Sequence, residues 1–548
     1  QMSFVSDCTF FLLLIVSFCQ GAPPEWRKNE EIDAVLPTSE MYVCERDSYY
    51  YMHNATVNQH ECPTLMGQAK FQNGLNDTGM SRFEFDGSHQ FDQNEKQFYL
   101  AGYAEGHMTR ELISNHLFNT VEGYCTSTEE FCGRLQAYMR ENLLFMRERI
   151  DRHPNDVFWN EVNFTLAHIA GLIDGYEGVA PLAPRSDLAL VGHPLYLLQF
   201  FSSDLPELEK KFGRPAHVAQ RWRTGSLIVK HNYAKNDLYV AHSTADSLAL
   251  LPRIGRRLSF LTDQPGRRTT ASTHPGTLSP SNELLVNARK LAVASVSIPI
   301  HNDKLMPEIQ PASVPTWIRS QVAMRQARSA GSWMDMMKRH NSGTGSAQYA
   351  IVDYSKIPST PGREGELPSY VVTLVEQIPS HFSHVDLSEE LNEKMFVSTG
   401  IPFFTVTDVL SGNAEKRLAN GDEYDFYHNK KALFATSMES GVDGLLPTTK
   451  LMRMNVGSNP CNALMPRCDI PADQEDVAGF TPIDHVGLDV KMIGYDMAQT
   501  NLIAVKPGTT SSRKPHFAWS RSDLENTVRH RGLPDSLESW KFVTLNRM

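Results

Sequence analysis

The chain has 548 residues, enough to bury a large core and, on length alone, to divide into about two to four domains. Its 63 acidic residues outnumber 52 basic ones, giving a formal charge of −11, and no run of five or more basic residues occurs. That balance excludes the electrostatic footprint of a nucleic-acid binder and argues against tight adhesion to an anionic membrane.

Taken in chain order, the first predicted element is a secretory signal over residues 1–21. Phe10–Phe18 is a nine-residue apolar run, too short to span a bilayer, and small Gly21 precedes Ala22-Pro23-Pro24, which places cleavage after Gly21. No later stretch approaches about 18 consecutive apolar residues, so no transmembrane anchor is expected. Residues 22–40 read as a charged, proline-bearing leader. Apolar spacing of three to four then predicts helices over Phe98–Asn119, Gly133–Ile150 and Val157–Ile173. Segments near 226–241, 290–300, 348–354 and 370–378 are rich in Val, Ile, Leu and Tyr and read as strands. Loops are predicted at Thr262–Asn282, Ser355–Ser369 and 455–482, the first two dense in Pro, Gly, Ser and Thr.

Cys8 and Cys19 fall within the signal. Cys44, Cys62, Cys125, Cys132, Cys461 and Cys468 remain, an even count that suits disulfides. Local pairing (Cys44–Cys62, Cys125–Cys132, Cys461–Cys468) is the simplest of the fifteen connectivities open to six cysteines. The C-x6-C spacing is wrong for structural zinc, which favours C-x2-4-C knuckles. Sequons at Asn54, Asn76 and Asn163 agree with an extracytoplasmic route, secreted or lysosomal. There is no G-x-S-x-G elbow, H-E-x-x-H helix or glycine-rich phosphate loop, and no metal or cofactor is expected.

Several motifs carry a resemblance over most of the chain. They are Gly102-Tyr103-Ala104-Glu105-Gly106, Gly171-Leu172-Ile173-Asp174-Gly175-Tyr176, Asn341-Ser342-Gly343-Thr344, Val375-Glu376-Gln377-Ile378-Pro379 and Asn459-Pro460-Cys461-Asn462. With them goes Arg223-Thr224-Gly225-Ser226-Leu227-Ile228-Val229-Lys230, followed by Ala241-His242-Ser243-Thr244. In this order they resemble the phospholipase B-like (lamina-ancestor) family. Read from the residues alone, the glycines around Tyr103 and Glu105 are packing positions, and Asn341–Thr344 is a turn entering a strand.

The resemblance implies an α+β fold, a four-layer αββα sandwich of the N-terminal nucleophile hydrolase type. It implies a signal over 1–21, a largely helical part over 22–224 and a strand-rich part carrying the pocket over 225–548. In such hydrolases the chain cuts itself before a Cys, Ser or Thr, whose side chain attacks the substrate while the freed α-amine acts as base. The expected substrate class is an acyl ester or amide, including phospholipid.

This sequence departs from the family at the reacting position. Anchored on Lys230 and His242, Gly225 stands where the family has cysteine and Ala245 where it has tryptophan. Val409 falls at a family asparagine, and Ala435 with Thr436 at a basic pair. Ser297 corresponds to a family threonine, and His242 is kept. Ser226 is the leading substitute nucleophile, with Thr224 behind it, but using Ser226 slips the strand by one residue and turns the side chain to the opposite face. Two readings follow. One is a lumenal hydrolase using Ser226, His242 and Ser297. The other is a non-catalytic relative binding a lipid or acyl ligand in the former pocket, with oligomeric state open.

Overall fold

The computed structural model describes residues 36–548 except 48, 56–60, 89–93, 180–185, 216–223, 280, 359–364, 456–458, 472–479, 510–514, 538–540 and 547. The expected signal and most of the leader lie outside the described residues.

Strands come first in the chain: β1 (Ser39–Arg46), β2 (Tyr49–Asn54), β3 (Thr64–Gln72) and β4 (Ser81–Gly87). After a helical stretch follow β5 (Thr224–Asn232), β6 (Asp237–Asp246), β7 (Ile254–Ser259), β8 (Arg268–Thr273), β9 (Leu284–Asn287) and β10 (Leu291–Ser297). The remaining main strands are β11 (Ala347–Asp353), β12 (Val372–Ile378), β13 (His381–Asp386), β14 (Phe396–Ser398), β15 (Val486–Ile493) and β16 (Ile503–Pro507). The short β17 (Phe517–Ala518) and β18 (Ser536–Leu537) pair with each other, and β19 (Val543–Leu545) closes the series.

An 11-stranded sheet runs β13-β12-β11-β10-β9-β8-β7-β4-β3-β1-β2, and a six-stranded sheet runs β14-β5-β6-β15-β16-β19. Every pairing described between these strands is antiparallel except β4 with β7. The part before residue 224 thus supplies four strands to the same sheet as β7–β13, as well as the long helices.

Side-chain alternation along the strands sets the layers. Leu227 and Val229 of β5 join Leu238 and Val240 of β6 against Val286, Ala292, Ala294 and Val296, so one core lies between the two sheets. The next residues along, Ile228 and Ala241, turn the other way and pack on the helices Lys430–Ser437 and Leu445–Arg453. On the far side of the large sheet, Leu291, Val293 and Ile351 pack against Trp333, Met337 and Met324 of the helices Thr316–Gln326 and Ala330–Lys338. Helix, sheet, sheet, helix: the α+β class and the αββα sandwich follow directly from these cores.

The two glycine motifs become a helix crossing. Helix Asn94–Met108 packs along helix Val157–Glu177, which Asp156 caps at its start and Gly178 ends at φ +73°. A Cβ on Gly102 would stand 2.1 Å from the His168 carbonyl oxygen, and one on Gly171 would stand 1.9 Å from that of Tyr99. The backbones touch, which only glycine allows. The predicted helix over Phe98–Asn119 is divided at Thr109, whose hydroxyl and N–H both donate to the Glu105 carbonyl, at 2.7 and 2.9 Å. Asn341–Thr344 is a turn, with Gly343 at φ +72° and Asn341 accepting from the Gly343 N–H, leading into β11.

The predicted loop Thr262–Asn282 contains β8, a strand hidden by its polar sequence Arg-Thr-Thr-Ala-Ser-Thr. The run 226–241 is a hairpin, turned by Asn236 at φ +48° with the Asn232 side chain accepting from Lys235 N–H. The disulfides are Cys44–Cys62, Cys125–Cys132 and Cys461–Cys468. Asn54 and Asn76 are exposed; Asn163 is half-buried on its helix, its amide donating to Glu95 and accepting from Arg147.

Candidate functional site

Strands β5 and β6 are apolar over most of the face they turn to the large sheet, and polar at one end. Their register pairs Gly225 with Thr244 and Leu227 with His242, while β15 brings Asp489 beside Thr244 and Lys491 beside His242. Val490 and Met492 belong to the opposite, helix-facing core, so Asp489 and Lys491 point between the sheets. From the large sheet, Arg253 just before β7, Ser272 in β8, His274 just after it and Glu283 just before β9 reach the same place.

There the charges alternate in a closed ring. Arg253 meets Glu283 at 2.6 Å and Asp489 at 2.9 Å, and Lys491 meets Glu283 at 3.0 Å and closes on Asp489. All four side chains are fully buried. Arg253 also donates to His274 Nε2 at 2.8 Å and to Ser272 Oγ at 2.8 Å. Burial works to raise the Asp489 carboxyl, but Arg253 and Lys491 more than reverse it and hold it down to about 2. At Glu283 burial prevails and the pKa is raised despite the same two cations. Removing charges from water is costly unless each is paired, and here each has two partners of opposite sign.

His242 lies beside the ring. Burial, and then the neighbouring Lys491, push its pKa well below the usual imidazole range, so the ring is neutral. Nε2–H donates to the Ser295 carbonyl at 2.8 Å, which leaves the Nδ1 lone pair without a partner among the described residues. A Cβ built on Gly225 would stand 3.4 Å from His242 Nε2 and 2.6 Å from Ser243 O. Position 225 therefore faces His242 but has no room for a side chain unless the Ser243 backbone gives way.

The other candidates lie elsewhere. Ser226 is fully buried, its Oγ without a partner among the described residues, on the face of β5 that Ile228 turns to the helices. Ser297 pairs with Ala347 on the outer face of the large sheet, and its N–H donates to Asn282 Oδ1 at 2.6 Å. Ser226, His242 and Ser297 thus occupy three different layers. Ala245 pairs with Thr224 and Gly487; Ala435 packs in the helix-facing core; Val409 sits exposed on the helix Thr405–Ser411. Thr224 has an imidazole partner, its Oγ1 lying 2.9 Å from His485 Nε2.

Sequence motifs do not single out Arg253, Glu283, Asp489 or Lys491. A signal exists: Asp489 and Lys491 alternate with Val490 and Met492 in a strand otherwise apolar, a pattern that places two charges on a buried face. Among the described residues no cluster of three or more metal-ligating side chains occurs, and no helix is long and apolar enough to cross a membrane.

An αββα sandwich with a polar, histidine-bearing end between its sheets is the class of protein that fold and site define. The family model for phospholipase B matches residues 67–546, and the chain belongs to that family. It is 29% identical over 530 residues to putative phospholipase B-like 1 of Caenorhabditis elegans, covering 91% of each chain. It is 30% identical over 509 residues to the phospholipase B-like 2 protein of the same species (88% of this chain, 85% of the relative). To human phospholipase B-like 2 it is 29% identical over 515 residues, with 88% and 85% covered. Among solved structures, a mutant of the conjugated bile acid hydrolase from Clostridium perfringens aligns at a TM-score of 0.30 and 9% identity, covering 52% of this chain and 89% of that one.

Proposed function

We propose that this chain is a secreted or lumenal phospholipase B-like protein that does not hydrolyse acyl bonds, and that ligand binding rather than turnover is its activity. The observation that carries this reading is at Gly225. It faces His242, lacks a side chain, and has only 2.6 Å between a would-be Cβ and Ser243 O. Attack on a carbonyl needs a nucleophilic side chain at the reacting position, which glycine lacks. Ser226 is turned to the other side of the strand, away from the face that His242 shares with Gly225.

The purified secreted chain, held at pH 5 and at pH 7, is expected to keep a single polypeptide across position 225 and to release no fatty acid from phosphatidylcholine vesicles. A fragment beginning at Ser226, lost in Ser226→Ala, would restore the hydrolase reading. One contact favours a second reading: the Thr224 hydroxyl is 2.9 Å from His485 Nε2, the hydroxyl–imidazole pairing a nucleophile uses. A new N-terminus at Thr224, with acyl release abolished by Thr224→Val, would establish it.

A further inference from the structure

On the outer face of the large sheet, β9, β10 and β11 meet the helices Thr316–Gln326 and Ala330–Lys338 around a chamber of about 20 Å³. Val293, Met324, Trp333 and Tyr349 belong to the apolar core at that face, yet five serines and one threonine share the wall with them. Two polar groups there lack partners. Trp333 Nε1–H and Ser279 Oγ make no hydrogen bond among the described residues, although the two residues are only 1% and 2% exposed. Roughly 90% or more of buried polar groups are paired with protein or with ordered water, so two unpaired groups on one small chamber call for a shared partner.

We infer that the chamber binds a single ordered water, which accepts from Trp333 Nε1–H and shares a hydrogen bond with Ser279 Oγ. Size sets the number: one water needs about 10–15 Å³ on the same measure, so one fits and two do not. Chemistry sets the identity. No charged side chain lines the wall, which removes the counter-charge a buried ion would need, and the indole N–H would repel a cation. The remaining hydroxyls complete a water's set of partners. Ser320 donates its proton to the Thr316 carbonyl at 2.8 Å, leaving its oxygen to accept, while Ser295 Oγ accepts from Glu283 N–H at 3.5 Å and keeps its own proton to give. Ser295 also joins this chamber to the space between the sheets, because its carbonyl takes the His242 Nε2–H at 2.8 Å. The water thus braces from behind the residue that holds the imidazole, whether or not the chain hydrolyses anything.

A crystal structure of the whole secreted chain, fine enough to show internal waters, tests the site directly. One isolated density peak is expected within hydrogen-bond distance, about 2.7–3.2 Å, of both Trp333 Nε1 and Ser279 Oγ. Oxygen-17 relaxation dispersion then counts long-lived internal waters in solution. Ser279→Val, which puts a methyl group into the chamber, should lower that count by one. Trp333→Phe, which keeps the ring and removes the N–H, should shorten the residence of that water at least tenfold. Both comparisons apply to variants that still melt cooperatively, and the density in the unsubstituted chain decides the matter if neither does. A chamber without density, a peak out of reach of Trp333 and Ser279, or a count and residence unchanged by both substitutions would overturn the assignment.

Discussion

Two places flank β5, and they solve opposite problems. At its start, between the sheets, Arg253, Glu283, Asp489 and Lys491 fill the space with paired charge, and position 225 has no room even for a methyl group. A few residues on, beside β14, rings and aliphatic side chains leave a cavity of about 100 Å³. A buried charge needs every partner in contact, so the ionic end cannot tolerate a gap. An apolar wall that leaves one forfeits only dispersion and transfer energy, roughly 2 kcal/mol for a void of this size at about 24 cal/mol per Å³. At these two places the kind of packing decides whether space is left.

Breaking the ring should have the largest effect. Arg253→Met leaves Glu283 and Asp489 sharing Lys491 alone, and loss of one partner from a buried ion cluster costs about 3–5 kcal/mol. The denaturant midpoint should fall accordingly. A loss under about 1 kcal/mol would mean that water, rather than pairing, satisfies these carboxylates.

Gly225→Cys tests whether the family's residue can be put back. The added carbon meets Ser243 O at 2.6 Å, and overpacking of this kind costs about 1–3 kcal/mol. The variant should be less stable and still release no fatty acid from phosphatidylcholine. If Gly225→Cys instead cleaves itself and hydrolyses lipid, the ionic end is an intact active site lacking one atom group, and the contrast with the β14 cavity falls.

His242 gives the ionic end a pH signature. Burial and Lys491 hold its folded-state pKa well below the ordinary value near 6.5, so the unfolded chain takes up a proton that the folded chain refuses. Its contribution is therefore complete above pH 6.5 and is lost as pH falls through 6.5 toward the folded value, at a limiting slope of about 1.4 kcal/mol per pH unit. His242→Gln should flatten the acid limb of the stability profile by that amount. Asp489 acts lower down: its depressed pKa of about 2 gives stability present above about pH 4 and lost between about 4 and 2. An unchanged slope between about pH 7 and 5 in His242→Gln would show that the imidazole already charges in the folded state.

The sequence makes one of these places half legible and the other not at all. Gly225 and His242 stand out because the residues between them keep most of the motif, and strand alternation places Ser226 on the face opposite Gly225. The helices of 94–177 are readable because their apolar residues recur every three to four positions, whereas β8 escapes notice because its sequence is almost wholly polar. The ionic ring draws on three segments that only the stacking of the two sheets brings together, and charged residues carry no mark of their eventual partners. The β14 cavity is a space between side chains, and no residue encodes a gap by itself.

The smallest effect is expected on the rim of that cavity. Thr436 is exposed, lies in the last turn of the helix Lys430–Ser437 and lines the opening. Thr436→Met exchanges a β-branched residue for a flexible one that favours helix by a few tenths of a kcal/mol, and its thioether can lie along the apolar wall. Stability should change by less than about 0.5 kcal/mol, toward stabilisation, although a larger side chain has been added next to a packed layer. The same kind of addition at Gly225 should cost several times more and carry the opposite sign. Both variants, measured by chemical denaturation in one buffer, give the contrast as a single difference. Equal losses at the two positions would mean that the β14 cavity is already closed in solution, and that the ionic end is no more tightly filled than the rest of the core.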